Sequence, residues 1–363
     1  DHDDGYGPGR GVRPERGQQG LAVEARHVQV GDDQVRRMGR RVFEGGRPVA
    51  RNTVSAMVSF YDHATGLVPR PTIVIERQTN DAHYNPTLAL DAHGYVYVFC
   101  NSHGQGFELT PDDPTFGKAF IYRSTAPYAI DDFVCLRSDN FSYSQVWPAG
   151  PGRLLWLHTR YSGNERRLFW AASDNGLTWS DPQQLTHMGK GNYQISWTDS
   201  QRVATAFDYH PLPVGLNART NIYYLETIDG GQSWQTADGQ RVATPLTSAH
   251  NPALVHDYER EGLLVYLKDI AFDRAGRPVI LYLTSKGHEA GPVNDPRVWR
   301  IARWTDSSWS DHAILQSDHN YDHGSLYIEE DGTWRIIAPT DPGPQDYDTG
   351  GEMVLWVSKD EGA

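Results

Sequence analysis

The feature that most constrains this chain is a unit that recurs along it. An apolar run leads into a Gly-containing turn, and a second apolar run leads out. LALDAHGYVYVF at 88–99 carries the unit with Asp91 and Gly94, and IAFDRAGRPVILYL at 270–283 repeats it with Asp273 and Gly276. LYIEEDGTWRII at 326–337 and SQVWPAGPGRLLWL at 144–157 are looser copies. Each reads as a strand, a Gly-containing turn and a second strand. A second element, Ser/Thr-x-Asp-x-Gly-x-Ser/Thr-Trp, occurs as TIDGGQSW at 227–234 and as ASDNGLTW at 172–179, where Ala172 replaces the first hydroxyl. Asp229 and Asp174 are expected to brace these turns, with the Trp packed beneath. SKDEG at 358–362 begins the same motif with Ser358, Asp360 and Gly362.

From Val54 onward, short apolar runs such as VSAMVSFYD, YVYVFC, RLLWLHTRY, NIYYLET, GRPVILYLT and WRIIAPT are broken by Gly, Asp and Pro. They read as strands, and nothing sustains an amphipathic helix. The 11 Trp, 19 Tyr and 11 Phe suit pleated surfaces, while the 35 Gly and 22 Pro suit turns. Repeats of roughly 50 residues, each a four-stranded blade, predict an all-β fold, a seven-bladed β-propeller closed by pairing of the chain ends. The propeller is expected to span 51–363. Residues 1–50, polar and Gly-rich without periodicity, read as an N-terminal extension.

Charge and composition exclude several functions. A net charge of −13 argues against a nucleic-acid partner, which calls for a basic face. No run approaches the length of a membrane span, and no apolar signal segment opens the chain. Cys100 and Cys135 can form at most one disulfide and are too few for a cysteine-based zinc site.

The chemistry must come from strand ends near the central axis. Three histidines share a local context: His83 in HYNP, His250 in HNP and His319 in HNY, each read as preceding an inner strand. His103 ends the hairpin that His83 opens, so the two should meet at one end. Tyr143 lies in FSYSQVW, Arg160 in LHTRY, and Arg219 in GLNARTNIYY just after Asn217. Two histidines, a tyrosine and two arginines from different blades can converge on one acidic sugar. Asp112-Asp113, and Asp346 with Asp348, are oxygen donors of the kind Ca²⁺ takes. His319 and His323, four apart, are a remoter candidate for zinc.

The stretches NDAHYNPTLALDAHGYVYVFCNSHG, FSYSQVW, LHTRYSG, LNARTNIYYLETIDGGQSW and HNYDHGSLYIEEDGTWRIIAPT resemble the BNR-repeat propellers of the polysaccharide lyases. The nearest resemblance is to ulvan lyases and rhamnose–glucuronate lyases, over about residues 50–363. It implies β-elimination at glucuronate in an acidic poly- or oligosaccharide containing rhamnose and glucuronate. The implied catalytic set is His83, His103, Tyr143, Arg160 and Arg219. Arg219, supported by Arg160, would neutralise the carboxylate; His103 or Tyr143 would act as base and acid, and His83 would position. Asn217, His250, His319 and Tyr321 would bind substrate. No cofactor is needed for such chemistry, and a structural Ca²⁺ is compatible with it. A secreted or periplasmic monomer is expected.

Two other functions fit the same pattern. An α-L-rhamnosidase would read the same unit but hydrolyse it. A non-catalytic carbohydrate-binding propeller would stack sugars on aromatics such as Trp147 or Tyr161, and its histidines would be incidental.

Overall fold

The computed structural model describes residues 54–77, 81–103, 117–163, 165–289, 291–341 and 351–361. Within them the chain is all-β, and its helical content is three short 3₁₀ turns. Six antiparallel sheets follow one another along the sequence. The first pairs Val54–Val58 with Thr72–Arg77. The second runs from Pro86–Leu90 to Phe133–Asp139, and the third from Ser142–Pro148 to Gln183–Gln184. The fourth starts with Gln194–Thr198, the fifth with Leu264–Phe272 and the sixth with Ser325–Ile328. All six runs singled out as strands in the sequence form strands here.

The first strands of the second to sixth sheets abut in succession, as blades do around a common axis. Polar bonds tie these inner strands together. Thr87 Oγ1 donates to Ser144 O at 2.7 Å, Gln145 Nε2 to Gln194 O at 3.1 Å, and Leu326 N to Asp269 Oδ2 at 2.7 Å. The core lies between sheets, in layers. Alternate side chains of one strand serve opposite layers, as the period of two requires. Tyr223 and Leu225 pack toward the third sheet beside Leu155 and Trp170, while Ile222 and Tyr224 pack toward the fifth beside Ile280 and Tyr282. Such strands are buried on both faces, which explains near-continuous apolar runs where one-faced strands would alternate.

The turn motifs hold, with one correction. In TIDGGQSW, Asp229 Oδ1 accepts from Ser233 N at 2.9 Å and Thr227 Oγ1 accepts from Gly231 N at 2.9 Å. In the other copy the brace is Asn175, not Asp174. Asn175 Oδ1 accepts from Leu177 N and Thr178 N, and Ser173 Oγ accepts from Gly176 N. This copy is one residue shorter between hydroxyl and Trp, so the bracing position shifts. Asp174 points outward, 78% exposed, and pairs with Arg153. Cys100 and Cys135 are both free thiols, the first buried and the second exposed.

His158 lies in the core beneath Trp156, ring centroids 3.9 Å apart. Burial, and then the nearby Arg160 charge, push its pKa down to about 3. The unfolded chain takes up a proton here near pH 6.5 that the native state refuses. Stability should therefore fall as pH drops from about 6.5 toward 3, by up to about 1.4 kcal/mol per pH unit from this group. His158→Phe is expected to flatten that part of the stability curve, measured by urea unfolding from pH 7 to pH 4. An unchanged slope would contradict the assignment.

Candidate active site

The site forms where the inner strands begin. Pro86 pairs with Cys100 across the first hairpin of the second sheet, so the segments just outside that pair leave together. Asp81 and His83 lie before Pro86, and His103 lies after Cys100. The His83 and His103 rings stack with centroids 3.9 Å apart and planes 15° from parallel. Asp81 joins them: Oδ1 is 2.5 Å from His83 Nδ1, and Oδ2 is 2.7 Å from His103 Nδ1. Burial acts to raise the Asp81 pKa. Hydrogen bonds from His83 N and from both rings outweigh it and hold the carboxyl below its ordinary value.

Tyr143 enters from the third sheet. Its strand carries a bulge between Ser142 and Gln145, and Tyr143 itself sits at φ +52°. A non-glycine residue there costs about 1–3 kcal/mol, which the surrounding packing must offset. The bulge aims the ring at the site: 6.2 Å from His83 and 5.3 Å from Tyr193. Burial, and then the neighbouring Tyr193, push the Tyr143 phenol well above its ordinary pKa, so it keeps its proton.

Arg166 sits beside Tyr143. It is 7% exposed, with its guanidinium 5.0 Å from the Tyr143 ring, 5.5 Å from Tyr161 and 4.1 Å from Tyr193. Nη1 donates to Tyr161 Oη at 3.1 Å, while Nε is buried without a hydrogen-bond partner among the described residues. Arg219, 8% exposed, also lies against Tyr193, at 5.2 Å, and faces Tyr266 at 4.7 Å and Tyr321 at 5.6 Å. Its Nε donates to Leu216 O. Neither guanidinium has a carboxylate within ion-pair distance among the described residues. In a chain of net charge −13, two buried arginines left free of carboxylates make one wall of the site cationic.

The wall continues into the fifth and sixth sheets. Lys268 occupies a bulge in the strand Leu264–Phe272 and donates to Asn320 O and Asp322 O, both at 2.6 Å. Burial pushes its pKa down to about 7. These bonds tie down the segment carrying His319 and Tyr321. His319 is buried, and its Nδ1 accepts from Tyr321 N and Asp322 N. That nitrogen is thus turned to backbone rather than toward a zinc shared with His323. Tyr321 is half exposed, 5.3 Å from Tyr266.

Three expected residues lie differently from the sequence reading. Arg160 and Tyr161 are neighbours on one strand and so face opposite ways. Tyr161 pairs across with Arg166 in the site, and Arg160 with Arg167 on the other face. There Arg160 grips Asp139 with two bonds, at 2.8 and 3.2 Å. It is a structural ion pair, not a carboxylate clamp. Arg160→Gln is expected to lower stability by about 1–3 kcal/mol and to leave turnover within a few-fold. Thermal unfolding and steady-state rates check both. His250 precedes Leu254–His256, which pairs with the third strand of its sheet, not with an inner strand. It is exposed and bonds Asp257 at 3.1 Å. Asn217 is exposed in the 3₁₀ turn ahead of Arg219. Asp112, Asp113, Asp346 and Asp348, the calcium candidates, lie outside the described residues.

Asp81, His83 and His103 bring one carboxylate oxygen and two imidazole nitrogens within 4.8 Å of one another. This donor set is of a kind zinc accepts. Both Nδ1 atoms, however, are already engaged by Asp81 itself.

Abutting antiparallel sheets with a histidine pair and a cationic wall at one end define a propeller-like all-β protein with a site for an anion. The chain belongs to the BNR repeat-containing family, whose model matches residues 57–317. It is 25% identical over 256 residues to an ulvan lyase of Nonlabens ulvanivorans, across 63% of this chain and 53% of that protein. It is 22% identical over 312 residues to an ulvan lyase of Alteromonas sp. (strain LOR), across 77% of this chain and 61% of the relative. The chain thus spans just over half to three-fifths of these relatives' length. Among solved structures, a polysaccharide lyase described as an ulvan lyase bound to -[GlcA(1-4)Rha3S]- superposes with a TM-score of 0.70. That match has 18% identity and covers 85% of this chain and 78% of the other, a likeness of fold.

Proposed function

We propose that this chain is a polysaccharide lyase that cleaves rhamnose–glucuronate linkages, as in ulvan, by β-elimination at glucuronate. The observation that carries the reading is the stacked His83–His103 pair beside a protonated Tyr143 and an Arg166 with no carboxylate partner among the described residues. The named activity of the relatives supports it.

The C5 proton of a glucuronate is weakly acidic because its removal adds charge beside a carboxylate. Arg166 pairs with that carboxylate and offsets the growing charge from a buried position. An imidazole Nε2 of the histidine pair removes H5. The C5–H electrons form the C4–C5 double bond, and the C4–O4 bond breaks. Tyr143, kept neutral by burial, donates its proton to the departing O4. Arg219, with Tyr266 and Tyr321, holds the adjoining sugar. Charge neutralisation by arginine makes a metal unnecessary for these steps.

Hydrolysis fits less well. Glycoside hydrolases ordinarily use two carboxylates flanking the bond. Asp81 is the carboxylate of this cluster, and both its oxygens are committed to the imidazoles.

Seven blades remain our reading of the ring: six sheets are described, and repeats of roughly 50 residues over 51–363 give six to seven units. Residues 51–363 are proposed as the catalytic unit, acting as a monomer. A polymeric substrate of this size implies export to the periplasm or beyond. Among the described residues no helix is long and apolar enough to cross a membrane.

Incubation with ulvan tests the function. A lyase leaves a 4,5-unsaturated uronate and a rising ultraviolet absorbance. New reducing ends without that absorbance would refute it, as would unchanged polymer.

A further inference from the structure

One carboxylate serves two imidazoles, and that arrangement has chemical consequences. Asp81 Oδ1 meets His83 Nδ1 and Asp81 Oδ2 meets His103 Nδ1. An ionised carboxylate only accepts hydrogen bonds, so each ring meeting it must carry its proton on Nδ1. In the neutral ring, Nε2 then carries the lone pair. We propose that Asp81 is the positioning residue of the catalytic pair: it fixes both imidazoles in the tautomer whose Nε2 can take the C5 proton, and it holds the two rings in their stack. This role rests on the β-elimination proposed above.

Two features separate the role from plain turn chemistry. Asp81 also caps the 3₁₀ turn Ala82–Tyr84, its Oδ1 accepting from His83 N at 2.9 Å. Capping needs only one side-chain oxygen, and Asn supplies that as well as Asp. The second oxygen has no part in the cap, yet it reaches across 22 positions of sequence to His103. The side chains of His83 and His103 are 47% and 36% exposed, and that of Asp81 is 30% exposed. The rings therefore stand between the anchoring carboxylate and the open site, with one edge of each held.

Asp81→Asn is the informative variant because it keeps shape and cap while changing one donor pattern. An amide has one accepting oxygen and one donating nitrogen. It can accept from one Nδ1–H, but it must donate to the other Nδ1. That ring is driven to carry its proton on Nε2, where it is no longer a base. The expected result is a fall in kcat of about ten- to hundred-fold, comparable to the loss of carboxylates that orient metal-bound imidazoles. KM on ulvan should stay within a few-fold and the melting temperature should be unchanged.

Nitrogen-15 NMR of the imidazoles reads the tautomers without any substrate. His83 and His103 should both be Nδ1–H in the wild type, and one of the two should become Nε2–H in Asp81→Asn. Wild-type kcat in the variant, or an Nε2–H tautomer at His83 or His103 in the native protein, would overturn the role. Zinc bound at one per chain and lost in Asp81→Asn would also overturn it, since the nitrogens would then be ligands and not proton carriers. If the native protein forms no unsaturated uronate, the lyase reading fails, and the NMR result alone decides the role of Asp81.

Discussion

Replacing Arg166 with glutamine is expected to cut kcat on ulvan by roughly 10²–10³-fold, the cost typical of losing one preorganised electrostatic contact in a transition state. The guanidinium lies within 5.5 Å of three tyrosine rings, with a buried Nε unsatisfied among the described residues. Leaving a charged group so poorly compensated is costly unless a ligand completes it. A uronate carboxylate does so, and its demand for the cation grows as the C5 proton departs. The loss should therefore appear more in kcat than in KM. Arg166→Lys should recover part of the rate, since it restores charge but not paired donors. Near-normal turnover in Arg166→Gln would move the carboxylate to Arg219.

Tyr143→Phe is expected to lower kcat by roughly 10²–10⁴-fold, the range for a lost general acid. The ring would stay, and with it the edge contacts to His83 and Tyr193. Substrate binding should change little. A backbone at φ +52° in a bulged strand is an expensive way to hold a merely packing tyrosine. Burial keeps the phenol protonated, which suits it to give a proton to O4 and unsuits it to take one from C5. Stopped-flow rates together with equilibrium binding to the variant check both halves. A variant with wild-type kcat would remove Tyr143 from the chemistry.

The histidine pair was legible because hairpin logic is local. Once YVYVFC is a strand paired with the run after His83, the two histidines must leave the same end. The arginine was missed for an equally local reason. In LHTRYSGNERR, both Arg160 and Tyr161 lie near the strand end, and only the register says which faces the site. Ser162 pairs with Glu165, so the connection is two residues, and Gly163-Asn164 is a recognised signal for such a turn. Reading that turn would have paired Tyr161 with Arg166. His250 misled because His-Asn-Pro resembles the His83 context, yet its strand joins the outer part of its sheet. Tyr193 and Lys268 carried no motif. The first precedes an inner strand without a flanking pattern, and the second owes its direction to a bulge that a period-two reading cannot anticipate. Asp81 stood two residues before His83 throughout, but its reach to His103 depends on ring orientation that no spacing encodes.

Digestion of ulvan in ¹⁸O-labelled water, followed by mass spectrometry of the fragments, tests the central claim most directly. β-Elimination breaks the C4–O4 bond without consuming water. The account predicts unlabelled fragments, one of each pair ending in an unsaturated uronate. Fragment pairs that carry one ¹⁸O, at the new reducing end, and no unsaturated uronate would mean hydrolysis and would contradict it.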